Sequence, residues 1–138
     1  MFYMLNKRGL AVPHLIIDYS ANLESAIDMA GLCECLRMVA TGLDAFPAAG
    51  VRVRAHAAQY YAIADGNPAH GFIDISVRLR AGRDMAVKQA ATQALFAAAE
   101  AFIAPVMASQ PIALSFEMRD IDPDLSPKTG SIRKYLKD

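Results

Sequence analysis

The feature that most restricts the fold is a pattern that occurs twice along the chain: an apolar strand-like run, a helix-like run, and a second strand-like run. HLIIDYS, residues 14–20, is apolar at Leu15, Ile16 and Ile17, as befits a strand in a covered sheet. Asn22 is the expected N-cap of a helix on which Ile27, Leu32, Leu36, Val39 and Leu43 recur at helix-like spacings up to a stop at Thr41-Gly42. VRVRAHA then alternates, with Val51, Val53 and Ala55 on one face and Arg52, Arg54 and His56 on the other. Asp65-Gly66-Asn67-Pro68, the strongest turn signal, divides the two units. In the second unit FIDISVRLR sets Ile73, Ile75, Val77 and Leu79 opposite Asp74, Ser76, Arg78 and Arg80. Ala81-Gly82-Arg83-Asp84 opens a long helix with the stripe Val87, Ala91, Leu95, Ala98, Phe102 and Val106, which Pro105 is expected to kink or end. IALSFEM closes the unit with Ile112, Leu114, Phe116 and Met118 inward.

Two tandem βαβ units predict an α+β fold of order βαββαβ, and right-handed crossovers place both helices on one face of a four-stranded sheet. The other face is expected to be too apolar to be left in water, and therefore buried against other copies in a small symmetric oligomer. From about residue 120 the tail DIDPDLSPKTGSIRKYLKD carries Pro123, Pro127 and Gly130 and reads as an arm packed on a neighbour.

At 138 residues the chain is most economically one domain, and 54% hydrophobic against 20% charged residues is the balance of a folded globular protein. A formal net charge of zero argues against a broad field for nucleic acid or an anionic membrane, so anion binding must rest on a few placed arginines. Cys33 and Cys35 are two apart in a helical pattern and point away from each other, and His14, His56 and His70 do not complete a metal-ligand spacing. Ordinary packing, no metal, no disulfide and a cytoplasmic location are expected. The run AATQALFAAAEAFIAPVMA is alanine-rich and interrupted by Gln93, Glu100 and Pro105, and so reads as a buried helix rather than a membrane span. In MFYMLNKRGLAV, Lys7 and Arg8 are not followed by an apolar stretch long enough for a signal peptide.

Three positions ask for more than packing. Arg83 sits at a helix start, where a cation is disfavoured; it either pairs with Asp84 or with the sheet, or joins the free helix amides in holding a carboxylate. Arg52 and Arg54 share a strand face that is either solvated or in an interface, or the source of a second carboxylate clamp, and two converging arginines would select a dicarboxylate. Pro13 heads its strand, a position that sheets allow to proline. Inside a chain its nitrogen is an amide without a proton. As a chain terminus the same atom is a secondary amine titrating near ~8 in water, and desolvation or nearby arginines would push it toward neutrality, where a general base works best.

PHLIIDYSANLE, FPAAGVRVRAH, ADGNPAHGFIDISVRLRAGR and ALSFEM, matching in order and spacing from Pro13 almost to the C-terminus, closely resemble the 5-carboxymethyl-2-hydroxymuconate delta-isomerases of the tautomerase superfamily. IDISVRLRAGRDMAVKQ also looks like the short subunit of 4-oxalocrotonate tautomerase. The resemblance implies a homotrimer of βαββαβ subunits and a cofactor-free reaction of aromatic catabolism, in which an amino-terminal proline moves a proton along the conjugated system of a dienol bearing several carboxylates. Pro13 matches that proline, Arg52 and Arg83 match the arginines that hold carboxylates and polarise the substrate, and Arg54 and His56 are second-rank candidates for the same pocket. Only the first unit carries the proline, so one site per chain is implied.

Twelve residues precede Pro13, a departure from the family pattern that would leave its nitrogen an amide. A misassigned start is the expectation: a valine codon can initiate as methionine, so Val12 would be the initiator, trimmed to leave Pro13 at the mature terminus. Residues 1–12 are otherwise an N-terminal extension ahead of a single domain spanning 13–138. The competing readings are a related decarboxylase or hydratase acting on another unsaturated acid, and a non-catalytic trimeric binding protein with a blocked proline.

Overall fold

Strict alternation in the strands and one buried stripe per helix decide how the two units assemble. The computed structural model describes residues 13–137, and the expectations for residues 1–12 lie outside them. The elements are β1 (His14–Ser20), α1 (Met29–Thr41), β2 (Arg52–Ala58), β3 (Gly71–Arg80), α2 (Met85–Met107) and β4 (Ile112–Ile121). Within each unit the two strands pair in parallel across a helical crossover, β1 with β2 and β3 with β4. The units join by antiparallel pairing of β1 with β3, with Ile17 opposite Ile75, so the sheet order is β2-β1-β3-β4.

Both helices cover the same face, as the pattern predicts. Leu15, Ile17, Ile73, Ile75 and Val77 from the central strands meet Leu32 and Leu36 of α1 and Leu95 and Ile103 of α2, all fully buried in one core. Burial of each such side chain contributes about 1.5–3 kcal/mol. Gly71 lets β3 begin beneath the Leu23 side chain, where an added Cβ would stand 2.7 Å from Leu23 Cδ2. Gly82, at φ 116°, turns the chain out of β3 and sets Arg83 ahead of α2.

Several expectations shift. Asn22 is not the cap of α1: residues 21–23 form a 3-10 turn that seats Leu23 in the core, and Asp28 caps the helix by accepting from Gly31 N at 3.0 Å. The Asn22 amide instead donates to His70 O at 2.7 Å and to Pro68 O at 3.3 Å, tying β1 to the inter-unit turn. The buried stripe of α2 is Ala91, Leu95, Ala99 and Ile103; Val87 is exposed, and Ala98, Phe102 and Val106 only flank it. Steps of four keep one line on the sheet, whereas the expected line drifted by one residue after Leu95. Nor is α2 a wholly buried helix, since Ala86, Ala90, Ala97, Ala101 and Ala104 lie on its exposed side. Pro105 is accommodated in the last turn, and the helix runs to Met107.

The sheet face away from the helices is not the apolar surface expected. It carries His14, Ile16 and Asp18 from β1, Arg52, Arg54 and His56 from β2, Phe72, Asp74, Ser76, Arg78 and Arg80 from β3, and Ala113, Ser115, Glu117 and Arg119 from β4. Alternation that buries every second residue under the helices sends polar partners to the other side. β4 continues past the expected IALSFEM run to Ile121, where the tail leaves the sheet.

Candidate active site

Pro13 is fully buried at the foot of β1, where its φ restriction suits the entry to a strand and its missing N–H leaves no ladder bond unmade. Its carbonyl accepts from Arg52 N at 3.4 Å, which places the start of β2 beside it. The next residue, His14, has Arg52 as its parallel partner on one side and Arg78 as its antiparallel partner on the other. Arg80 lies two residues beyond Arg78 on the same face of β3. The sheet register therefore gathers arginines from two strands around the first two residues of the third.

His14 reports the electrostatics of this end. Its Nδ1 lies 3.4 Å from Arg54 Nη1, and since a guanidinium only donates, Nδ1 is the accepting nitrogen and the proton resides on Nε2. Burial, and then the charges of Arg78, Arg52, Arg54 and Lys128, pull the imidazole down to about 4. His14 is accordingly neutral at physiological pH.

Arg83 joins the cluster from outside the sheet. It is half-buried, and its Nε donates at 2.8 Å to Ala45 O, in the segment between α1 and β2, with a longer contact of 3.5 Å from Nη1 to Arg80 O. It does not pair with Asp84, one of the two structural roles foreseen for it. Burial and the nearby Arg80 charge lower its pKa, so this guanidinium is partly desolvated and repelled by a like charge. Lys128, from the segment after β4, completes the group: burial, Arg80 and Arg52 lower its pKa in turn. Among the described residues no carboxylate lies within ion-pair distance of Arg52, Arg54, Arg78, Arg83 or Lys128. In a chain of zero net charge, Arg52, Arg54, Arg78, Arg83 and Lys128, with no described carboxylate beside them, could hold an anion with several negative groups.

Of the residues foreseen, Pro13, Arg52 and Arg54 are brought together at one end of the sheet, and Arg83 adjoins them through Arg80. His56 is not part of the group. It faces Asp18 in the register, four residues along β2 from Arg52, or about 13 Å at the strand rise. Sequence reasoning missed His14, Arg78, Arg80 and Lys128 as members. Alternation had put Arg78 and Arg80 on the open face, and only the antiparallel register of β1 with β3 brings them to Pro13. The cysteines behave as packing residues: both are free and half-buried, and burial raises the Cys33 thiol.

Residues 13–136 match the family described as 5-carboxymethyl-2-hydroxymuconate isomerase. The 5-carboxymethyl-2-hydroxymuconate Delta-isomerase of Escherichia coli is 29% identical over 126 residues, which are 91% of this chain and all of the relative. A crystal structure of a 5-carboxymethyl-2-hydroxymuconate delta-isomerase superposes with a TM-score of 0.87 at 30% identity, covering 96% of this chain and 98% of that one. The 5-carboxymethyl-2-hydroxymuconate isomerase of Deinococcus radiodurans R1 does so with a TM-score of 0.84 at 30% identity, covering 93% and 97%. At the level of fold alone, a fused 4-OT symmetric trimer matches with a TM-score of 0.55 at 17% identity, covering 84% and 93%.

Proposed function

The chain belongs to the 5-carboxymethyl-2-hydroxymuconate isomerase family, and from that premise we propose that this isomerase moves a proton along 5-carboxymethyl-2-hydroxymuconate, with the Pro13 nitrogen as its base. The observation that carries this reading is the seating of Pro13 among cations that no described carboxylate balances. Such a field serves the reaction in two ways. It lowers the pKa of a secondary amine at Pro13, so that the amine is unprotonated near neutral pH. It also stabilises the negative charge that develops on the substrate oxygen when the proton leaves.

The steps balance without a cofactor. Pro13 N takes the proton of the 2-hydroxyl, the oxygen lone pair becomes the C=O bond, and the conjugated double bonds shift toward the far carbon. That carbon receives the proton from the prolinium, restoring the amine. Arg52 and Arg83 hold substrate carboxylates, and burial, with the charges of Arg78, Arg52 and Arg54, keeps the His14 imidazole neutral beside the base. His56 lies too far along β2 to serve the same pocket. The site is proposed to work in a homotrimer, an arrangement supported by the fold likeness to a protein described as a fused 4-OT symmetric trimer.

The reading requires that the Val12–Pro13 bond be absent in the working enzyme, a condition supported by the family match beginning at residue 13. The test compares a chain beginning at Pro13, one beginning at Met1 and a Pro13→Ala variant of the former, followed by ultraviolet absorbance of the dienol. Only the first is expected to turn over substrate at full rate, with losses of about 10²–10⁴-fold in Pro13→Ala. Full activity with the Val12–Pro13 bond intact would remove the proline from the mechanism and favour another base. Binding of the dienol without turnover by the chain beginning at Pro13 would favour the non-catalytic reading.

A further inference from the structure

His14 follows Pro13 directly in the chain, and a residue of another strand holds its ring. Alternation along β1 sends Pro13, Leu15 and Ile17 under the helices and His14 to the open face, where it is half-buried. Its register partners there are Arg52 on β2 and Arg78 on β3. Arg54, two residues beyond Arg52 on the same face of β2, brings Nη1 to 3.4 Å from Nδ1. The nitrogen that accepts from Arg54 fixes the proton on the other one, and a ring that turns Nδ1 to the guanidinium turns the Nε2–H away from it. Among the described residues nothing accepts from that N–H. Arg52, Arg54 and Arg78, the side chains that flank the ring, only donate, so an acceptor for it has to come from a bound molecule.

The dienol offers such an acceptor. As the proton leaves the 2-hydroxyl, its oxygen gains negative charge, whereas the carboxylates keep theirs throughout. A cation therefore holds a carboxylate equally in the ground and transition states, and only a donor aimed at the oxygen favours the transition state. Neutral imidazole serves as a donor of this kind where a positive environment keeps it unprotonated. We propose that His14 is a catalytic residue whose Nε2–H donates to the 2-oxygen of the dienol as the proton passes to Pro13, with Arg54 as the positioning residue that fixes its tautomer. The donated proton stays on Nε2, so the proton balance of the isomerisation is unaltered. This role rests on the proton shift proposed above, and it gives Arg54 a task other than holding a carboxylate.

The test compares the chain beginning at Pro13 with its His14→Leu and His14→Gln variants in the ultraviolet assay of the dienol. Leucine removes the donor, and glutamine returns an amide N–H close to the place of Nε2. In His14→Leu kcat is expected to fall about 10²-fold with KM little changed, and His14→Gln is expected to recover most of the loss. Unchanged kcat in His14→Leu, with or without a raised KM, or an equal loss in both variants, would overturn the role and leave Pro13 as the base. No turnover by the parent chain beginning at Pro13 would remove the proposed reaction and this role together. In Arg54→Met, ¹⁵N shifts should show the ring proton divided between the two nitrogens, and an unchanged Nε2 tautomer would overturn the positioning by Arg54.

Discussion

Neutral His14 makes the stability of this protein depend on pH in a way that the structure sets in sign and size. Its pKa is about 4 in the folded chain against 6.5 when unfolded, chiefly through burial and then through Arg78, Arg52, Arg54 and Lys128. Between these values the unfolded chain binds a proton that the folded chain refuses. The contribution of His14 is therefore intact above pH 6.5 and is lost as the pH falls through about 4. Taken in full the difference corresponds to about 3 kcal/mol. His14 is only partly buried, and solvent screening reduces this to about 1–2 kcal/mol. The assay is urea unfolding of the wild type and His14→Asn at fixed protein concentration from pH 7.5 to 4.5. The wild type is expected to lose about 1–2 kcal/mol more than the variant across that range, and ¹⁵N shifts should show a bare Nδ1 above pH 5. Identical pH dependence in the two proteins, or a proton on Nδ1 at neutral pH, would refute the electrostatic account of this end of the sheet.

Other outcomes follow from the packing. Gly71→Ala sets a Cβ 2.7 Å from the buried Leu23 side chain, and overpacking there should cost about 1–3 kcal/mol in urea unfolding. Asp28→Ala removes the acceptor for Gly31 N and should cost about 1 kcal/mol, while Asn22→Ala should leave the start of α1 unchanged by amide exchange. Leu36→Ala opens a cavity between α1 and the sheet and should cost about 2–5 kcal/mol. Arg83→Lys forfeits the Nε bond to Ala45 O; carboxylate affinity measured by calorimetry should fall several-fold although the charge is kept.

Much of the architecture is legible along the chain because a strand or helix records its own periodicity. Ile73, Ile75, Val77 and Leu79 alternate, lie on one face of β3 and are buried. Handedness then puts α1 and α2 on the same side. The errors lie where a local signal has two uses. Asn22 and Asp28 are both good caps, and the choice between them was made by Leu23, which a 3-10 turn seats in the core before the helix begins. On α2 nearly every residue is small or apolar, so the pattern contains several possible stripes and only contact with the sheet selects Ala91, Leu95, Ala99 and Ile103.

The candidate site divides in the same manner. Pro13, Arg52 and Arg83 stand out by residue type and position, and the motifs around them carry the family resemblance. That Arg52 and Arg54 share a face is a property of one strand, and the sequence by itself determines it. That His14 lies between Arg52 and Arg78, with the charge of Lys128 acting on it from the arm, depends on pairing among segments far apart in the chain. A period is a relation between neighbours and survives in one dimension. Register and the convergence of like charges are relations through space, and they exist only once β1, β2, β3 and the reversed arm have packed against one another.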